Sequence, residues 1–99
     1  MEIKISSVRF DADSRLEKFI KNKVNKLEQY YDHIIHANVT LRVEKRQSED
    51  NKIAEIKLEL PGTSLFAKKQ CNSFEEATDS SVDAIKRQLK KHKDFLRKK

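Results

Sequence analysis

The chain of 99 residues has one glycine, one proline, one cysteine and no tryptophan. Each scarcity excludes something. A single glycine, Gly62, cannot build a glycine-rich phosphate loop. Few Gly and Pro leave little turn chemistry, which argues against a sandwich or small barrel and for a few long elements. The lone Cys71 cannot close an internal disulfide, which fits a reducing cytoplasm. It reads as a small semi-buried filler, with nothing near it in sequence to activate a thiolate. No apolar run approaches membrane-spanning length, and MEIKISSVRF has no signal-peptide core, so export is not expected. There is no Ser-His-Asp cue, CxxC pair or HExxH. His33 and His36 are three apart without further ligands at zinc spacing. Glu49-Asp50 and Glu75-Glu76 fall in a surface turn and a helix first turn, where acids are ordinary. No catalytic residue, metal or cofactor is assigned, and an enzyme is not expected.

Charge and periodicity are what the chain has instead. Charged residues make up 38% and hydrophobic ones 36%. The apolar positions are periodic, so the charge does not signal disorder. The length suits one domain with one modest core, and residues 1–99 are read as that domain.

Ile3 and Ile5 alternate with polar neighbours and open a short strand. Asp13 and Ser14 are both plausible caps for a first helix running from about Ser14 to Tyr30. Leu16, Phe19, Ile20, Val24, Leu27, Tyr30 and Tyr31 share its apolar face. Lys23 falls inside that face by angle. Either its stem covers the core edge while the ammonium reaches water, or it is a charge held beside a binding groove. Val39, Leu41 and Val43 alternate with Thr40, Arg42 and Glu44 in the clearest strand, Ala37 to Lys45. A polar turn over Gln47–Asn51 precedes a strand from Ile53 to Leu60, so the two read as an antiparallel hairpin. Pro61-Gly62 stops that strand. A weaker fourth strand, Leu65 to Cys71, carries Lys68 and Lys69 as an edge strand would.

The last stretch, Ser73 to Lys99, reads as one long helix. Ser73 and Glu76 form a capping box, and Glu75, Glu76 and Asp79 suit the positive end of the helix dipole. Phe74, Ala77, Val82, Ile85, Leu89 and Leu96 mark a buried face. Residues 73–83 hold four acids and no base, whereas residues 84–99 hold eight Lys/Arg against one Asp. Lys86, Lys90, Lys93 and Arg97 form one stripe beside the apolar face. Twenty-five helical residues span about 37 Å, against about 23 Å for a seven-residue strand. The basic end should therefore overhang the sheet or lie beside the first helix.

The order β-α-β-β-β-α implies an α+β fold: a four-stranded sheet with two helices packed on one face and the other face solvated. The first crossover makes strands 1 and 2 parallel. A localised basic stripe points to an anionic partner. A membrane-surface helix would need its apolar side free, and here the core uses it. Lysine positions phosphate more than it reads bases. Structured RNA recognised by shape and backbone is the best fit. The alternative is a general structured-RNA or DNA backbone-binding protein or chaperone.

Four segments carry a family resemblance: Lys26-Leu-Glu-Gln-Tyr-Tyr-Asp-His-Ile34, Leu41-Arg-Val-Glu-Lys45, Phe74-x-x-Ala77-x-Asp79, and Ile85-x-x-Gln88-Leu-Lys-Lys-His-Lys93. In this order they resemble the ribosome hibernation-promoting factors, the short form in particular, over nearly the whole chain. The resemblance implies the same β-α-β-β-β-α fold. It implies binding to the small ribosomal subunit (30S) between head and body, where mRNA and the A- and P-site tRNAs lie. It implies silencing of translation in stationary phase or stress, and promotion or stabilisation of inactive ribosome dimers. The 16S rRNA contacts it implies are Lys23, Lys26, Lys45, Lys86, Arg87, Lys90, Lys91 and Lys93; the stripe adds Arg97. Phe74 stands where tyrosine is common, Cys71 near a usual glycine, and Thr78 at an expected apolar position. The sequence ends at Lys99, so the long form's dimerisation domain is not expected. The free protein is expected to be a monomer, and a second small protein pairs ribosomes with the short form in some bacteria.

Overall fold

The computed structural model describes residues 1–44 and 49–97, with the side chain of Arg97 left aside. The elements are β1 (Glu2–Val8), α1 (Ser14–Asn25), a tight 3-10 turn (Lys26–Gln29), β2 (His36–Val43), β3 (Lys52–Leu60), β4 (Thr63–Cys71) and α2 (Phe74–Arg97). They form one four-stranded sheet in the order β1-β2-β3-β4. β1 runs parallel to β2, and the other neighbours are antiparallel. The expected architecture is met, strand pairing included.

Alternation sets which side of each strand faces the helices. Ile5 lies beside Val39, Val39 beside Ile56, and Ile56 beside Ala67 in one inward row. Leu41 and Ala54 form the next row, and both are fully buried. Ile20, Val24 and Leu27 from the first helical segment meet Ala77, Ile85 and Leu89 of α2 over these rows. At roughly 25 cal/mol per Å² of apolar surface removed from water, such contacts supply the main driving force. Phe10 stacks on Phe74 at 4.8 Å between centroids, tying the entry of α1 to the first turn of α2.

Local signals explain the boundaries. Asp13 caps α1 by accepting from the Leu16 amide at 2.8 Å, and Ser73 caps α2 by accepting from the Glu76 amide at 3.1 Å. Leu60 pairs with Thr63, so Pro61 and Gly62 are the two turn residues, and Gly62 takes φ +79°, where a Cβ would be strained. Glu44 donates its amide to the Asn51 carbonyl at 2.8 Å, closing the β2–β3 connection.

Three expectations are corrected. The first helix does not stay α-helical to Tyr30. It tightens at Lys26, and Tyr30 donates its amide to the Leu27 carbonyl at 3.0 Å, an i to i−3 bond. Leu27 remains buried, Tyr31 is half-buried against His92, and Tyr30 turns outward, 37% exposed. Leu96 is exposed, because the last turns of α2 reach past the sheet that would cover it. Thr78 and Ser81 are fully buried instead. Ser81 Oγ donates to the Ala54 carbonyl at 3.0 Å, whereas Thr78 Oγ1 has no partner among the described residues. The overhang shows in the overall dimensions, 48 × 24 × 19 Å.

The outer face of the sheet is polar and mixed in sign. Glu55 pairs with Arg42 at 3.4 Å and with Lys68 at 3.8 Å, and Lys57 pairs with Glu59 at 3.4 Å. Ile53 is buried on this side, beside Gln70, which donates to the Asp50 carbonyl. No helix among the described residues is long and apolar enough to cross a membrane.

Candidate nucleic-acid interface

α1 and α2 lie side by side on the sheet, and a groove runs between their exposed edges. One wall is Lys23, Lys26, Leu27 and Tyr30; the other begins with Asp79, Val82, Asp83 and Lys86, around a hollow of about 160 Å³. The groove continues into a second hollow of about 280 Å³ between Tyr30, Lys86, Lys90 and Lys93. It then passes Gln29, Tyr31, Asp32 and His33 in a third of about 310 Å³, again with Tyr30 and Lys93 in the wall. The i, i+4, i+7 spacing on α2 therefore places three lysines along one side of a channel.

Acids enter its lining toward both ends, Asp79 and Asp83 in the first hollow and Asp32 in the third, whereas Tyr30 and three lysines line the second. At the sheet end Lys23 Nζ lies 3.1 Å from Asp79 Oδ1, across the helix pair. Lys23 also sits over the Phe19 ring, 5.5 Å from its centroid. Lys23 thus bridges the helices at the groove wall, with its charge partly compensated. The pair is half exposed and contributes at most about 1 kcal/mol. Asp83 leaves Lys26 and Lys86 a nearby carboxylate. Around the second hollow the wall is basic, with Lys86, Lys90 and Lys93, and Asp32 enters beside Lys93 in the third.

Tyr30 is the residue on which the hollows converge. Lys86 Nζ lies over its ring, 4.7 Å from the centroid, a cation–π distance. The Tyr30 hydroxyl, as hydrogen-bond partner and then by charge, holds the Lys86 pKa above the ordinary 10.5; Asp83 adds to this, and slight desolvation opposes it. Lys86 accordingly carries its positive charge throughout the neutral range. Below Tyr30, Tyr31 packs edge-on against His92 at 5.5 Å and His33 at 5.6 Å, fixing the end of the 3-10 turn to α2.

The structure brings together Lys23, Lys26, Lys86, Lys90 and Lys93. Arg87 and Lys91 are exposed but line none of these hollows. Arg97 ends α2 and continues the backbone spacing of the stripe. Lys45 lies outside the described residues. Sequence reasoning missed Tyr30 as a groove residue because it was placed on the buried face. Successive helical residues lie about 100° apart, so one of two adjacent tyrosines falls toward the edge of the apolar face, and that was the available signal.

Other surfaces suit a polyanion less well. The outer sheet face neutralises much of its own charge and exposes one aromatic, Phe66, not a stacking pair. A hollow of about 500 Å³ at the opposite end lies between Asp13, Arg15, Leu16, Phe19 and Glu75, two acids against one base. Among the described residues no three His, Cys, Asp or Glu side chains gather as a metal site requires.

Comparisons with known proteins agree with this picture. The family model described as Sigma 54 modulation protein / S30EA ribosomal protein matches residues 3–97. A ribosome hibernation promoting factor of Escherichia coli (strain K12) is 32% identical over 97 residues, 98% of each chain. The factor of the same name from Pseudomonas putida is 30% identical over 94 residues, 95% of this chain and 88% of that one. The N-terminal domain of Thermus thermophilus Protein Y superposes with a TM-score of 0.81 at 24% identity, covering 93% of this chain and 99% of that one. A ribosomal subunit interface protein from Coxiella burnetii gives 0.84 at 19% identity, covering 95% and 99%. The two structures speak to the fold alone.

Proposed function

The chain belongs to the Sigma 54 modulation protein / S30EA ribosomal protein family, and from that premise we propose that it is a ribosome hibernation factor acting in the cytoplasm. Residues 1–99 serve as its ribosome-binding domain. The domain binds the small ribosomal subunit through 16S rRNA, in the channel used by mRNA and tRNA near the decoding centre. Occupying that channel blocks translation and promotes or stabilises inactive ribosomes and ribosome dimers under stress or in stationary phase. The observation that carries the reading is the lysine-walled groove, with Lys86, Lys90 and Lys93 on one helix and Lys26 across from them.

The chemistry is displacement of counterions, not turnover. Each ammonium that meets a phosphate releases condensed cations, and the gain in their entropy drives binding. Lysines on a preformed helix lose less freedom on binding than lysines on a disordered arm. Arg87 and Lys91, on the exposed side of α2, add charge at longer range. Lys45, outside the described residues, and Arg97 complete the proposed set of rRNA contacts.

The test is cosedimentation with 30S subunits over a salt series, with tRNA as competitor. Binding should fall steeply with salt and should exclude tRNA. Salt-insensitive binding, or none while the protein stays folded, refutes the proposal. Binding that tolerates tRNA indicates a general backbone binder instead.

A further inference from the structure

We propose that Tyr30 is a stacking platform for an unpaired nucleobase of the bound RNA, so that the groove takes a single-stranded or flipped-out nucleotide and not duplex backbone alone. This rests on the ribosomal reading above and deepens it. A groove made only for phosphate needs cations and no ring. This one places an aromatic ring, 37% exposed, at its centre. The ring borders all three hollows, so it is accessible from more than one direction.

Three lysines surround it. Lys86, Lys90 and Lys93 span seven residues, about 10 Å along the helix at 1.5 Å each. A base laid on the exposed part of the ring has ammonium groups on either side for its flanking phosphates. The hollow they border, about 280 Å³, is large enough to admit a planar base. Lys86 keeps the ring in place beforehand through the cation–π contact at 4.7 Å. The Tyr31 contacts with His33 and His92 fix the adjoining backbone, so little ordering is left to binding. Because every base has a π face, such a platform does not select sequence.

The chain has two tyrosines and no tryptophan, so tyrosine emission reports on the site directly. In a Tyr31→Phe background Tyr30 is the one tyrosine left. The probes are an oligouridylate of about eight nucleotides and the same sugar-phosphate backbone without bases. The base-bearing strand should quench Tyr30 emission and bind roughly 5- to 150-fold more tightly than the abasic one. Tyr30→Phe, read by anisotropy of labelled oligonucleotide, should retain that preference, and Tyr30→Leu should abolish it at unchanged helicity. Equal affinity for the two strands, or a preference that survives Tyr30→Leu, overturns the inference. Small-subunit cosedimentation separates the two failures. A wild-type protein that binds subunits without preferring bases loses the platform but keeps its proposed function; one that binds no subunits loses both.

Discussion

Replacing Lys86, Lys90 and Lys93 together by glutamine should weaken small-subunit binding by a factor that can be worked out beforehand. Each lysine lost removes one phosphate contact. Each contact contributes about 0.7 to 0.9 to the slope of log K against log salt, the lower figure for single strands. Three should therefore flatten the slope by roughly 2 to 3. At 0.1 M salt each contact is worth about 5- to 8-fold, so the triple variant should bind roughly 100- to 500-fold less tightly. The fold should survive, because Lys86 and Lys90 are exposed and Lys93 is half-buried. Surface changes of this kind usually move stability little, so the melting temperature should stay close to that of the wild type. The assay is cosedimentation or fluorescence anisotropy at four or more salt concentrations, with thermal melting in parallel. Arg87→Gln with Lys91→Gln is the comparison, since both residues are cationic and exposed but lie outside the groove. An unchanged slope in a folded triple variant refutes the assignment. A slope change in the Arg87/Lys91 pair as large as in the triple variant shows that net charge, not the groove, determines binding.

Asp79→Asn should strengthen RNA binding about 5-fold at 0.1 M salt, because it frees Lys23 and removes a negative charge from the groove; melting should show a cost of about 1 kcal/mol or less for the lost half-exposed pair. Thr78→Val should stabilise the fold by about 1 kcal/mol, a rise in Tm of about 4–8 °C, since a methyl of similar shape replaces a buried hydroxyl that has no partner among the described residues. Leu89→Ala should cost about 2–5 kcal/mol by denaturant melting, because Leu89 is fully buried between α2 and the sheet. Tyr30→Phe should lower the Lys86 pKa toward 10.5, read by NMR of the side-chain ammonium. Because the folded value is raised, the Lys86–Tyr30 contact is fully present below pH 10.5 and disappears as pH climbs through the raised value.

How much of this a reader could find in the chain depends on the range over which each signal acts. Strand alternation and helix caps are local, and Asp13, Ser73 and Pro61-Gly62 mark boundaries the structure keeps. The lysine stripe is local too, since helical spacing alone aligns Lys86, Lys90 and Lys93. The groove is not local. It exists because α1 and α2 share one sheet face, which sets Lys26 and Tyr30 across from residues some sixty positions away in sequence. No periodicity reports that opposition. The Tyr30 error shows the same limit within a single turn. An α-helical wheel keeps Leu27, Tyr30 and Tyr31 together, but a change to 3-10 geometry at Lys26 leaves Leu27 in the core and turns Tyr30 out. What drives that change is tertiary: Tyr31 gains a ring contact with His92, which only the placement of α2 supplies. The division of α2 into acidic and basic halves also changes meaning once both helices are in view. The acidic half does more than suit the helix dipole, because Asp79 reaches across to Lys23 and closes one end of the groove. That end has its lysine charge compensated, and Lys90 and Lys93 at the other end have no carboxylate from α1 beside them in the second hollow. On the proposed reading, a polyanion in the groove would be drawn toward the three lysines around Tyr30 and away from Asp79, so that the charge pattern of α2 would set its position between the two helices.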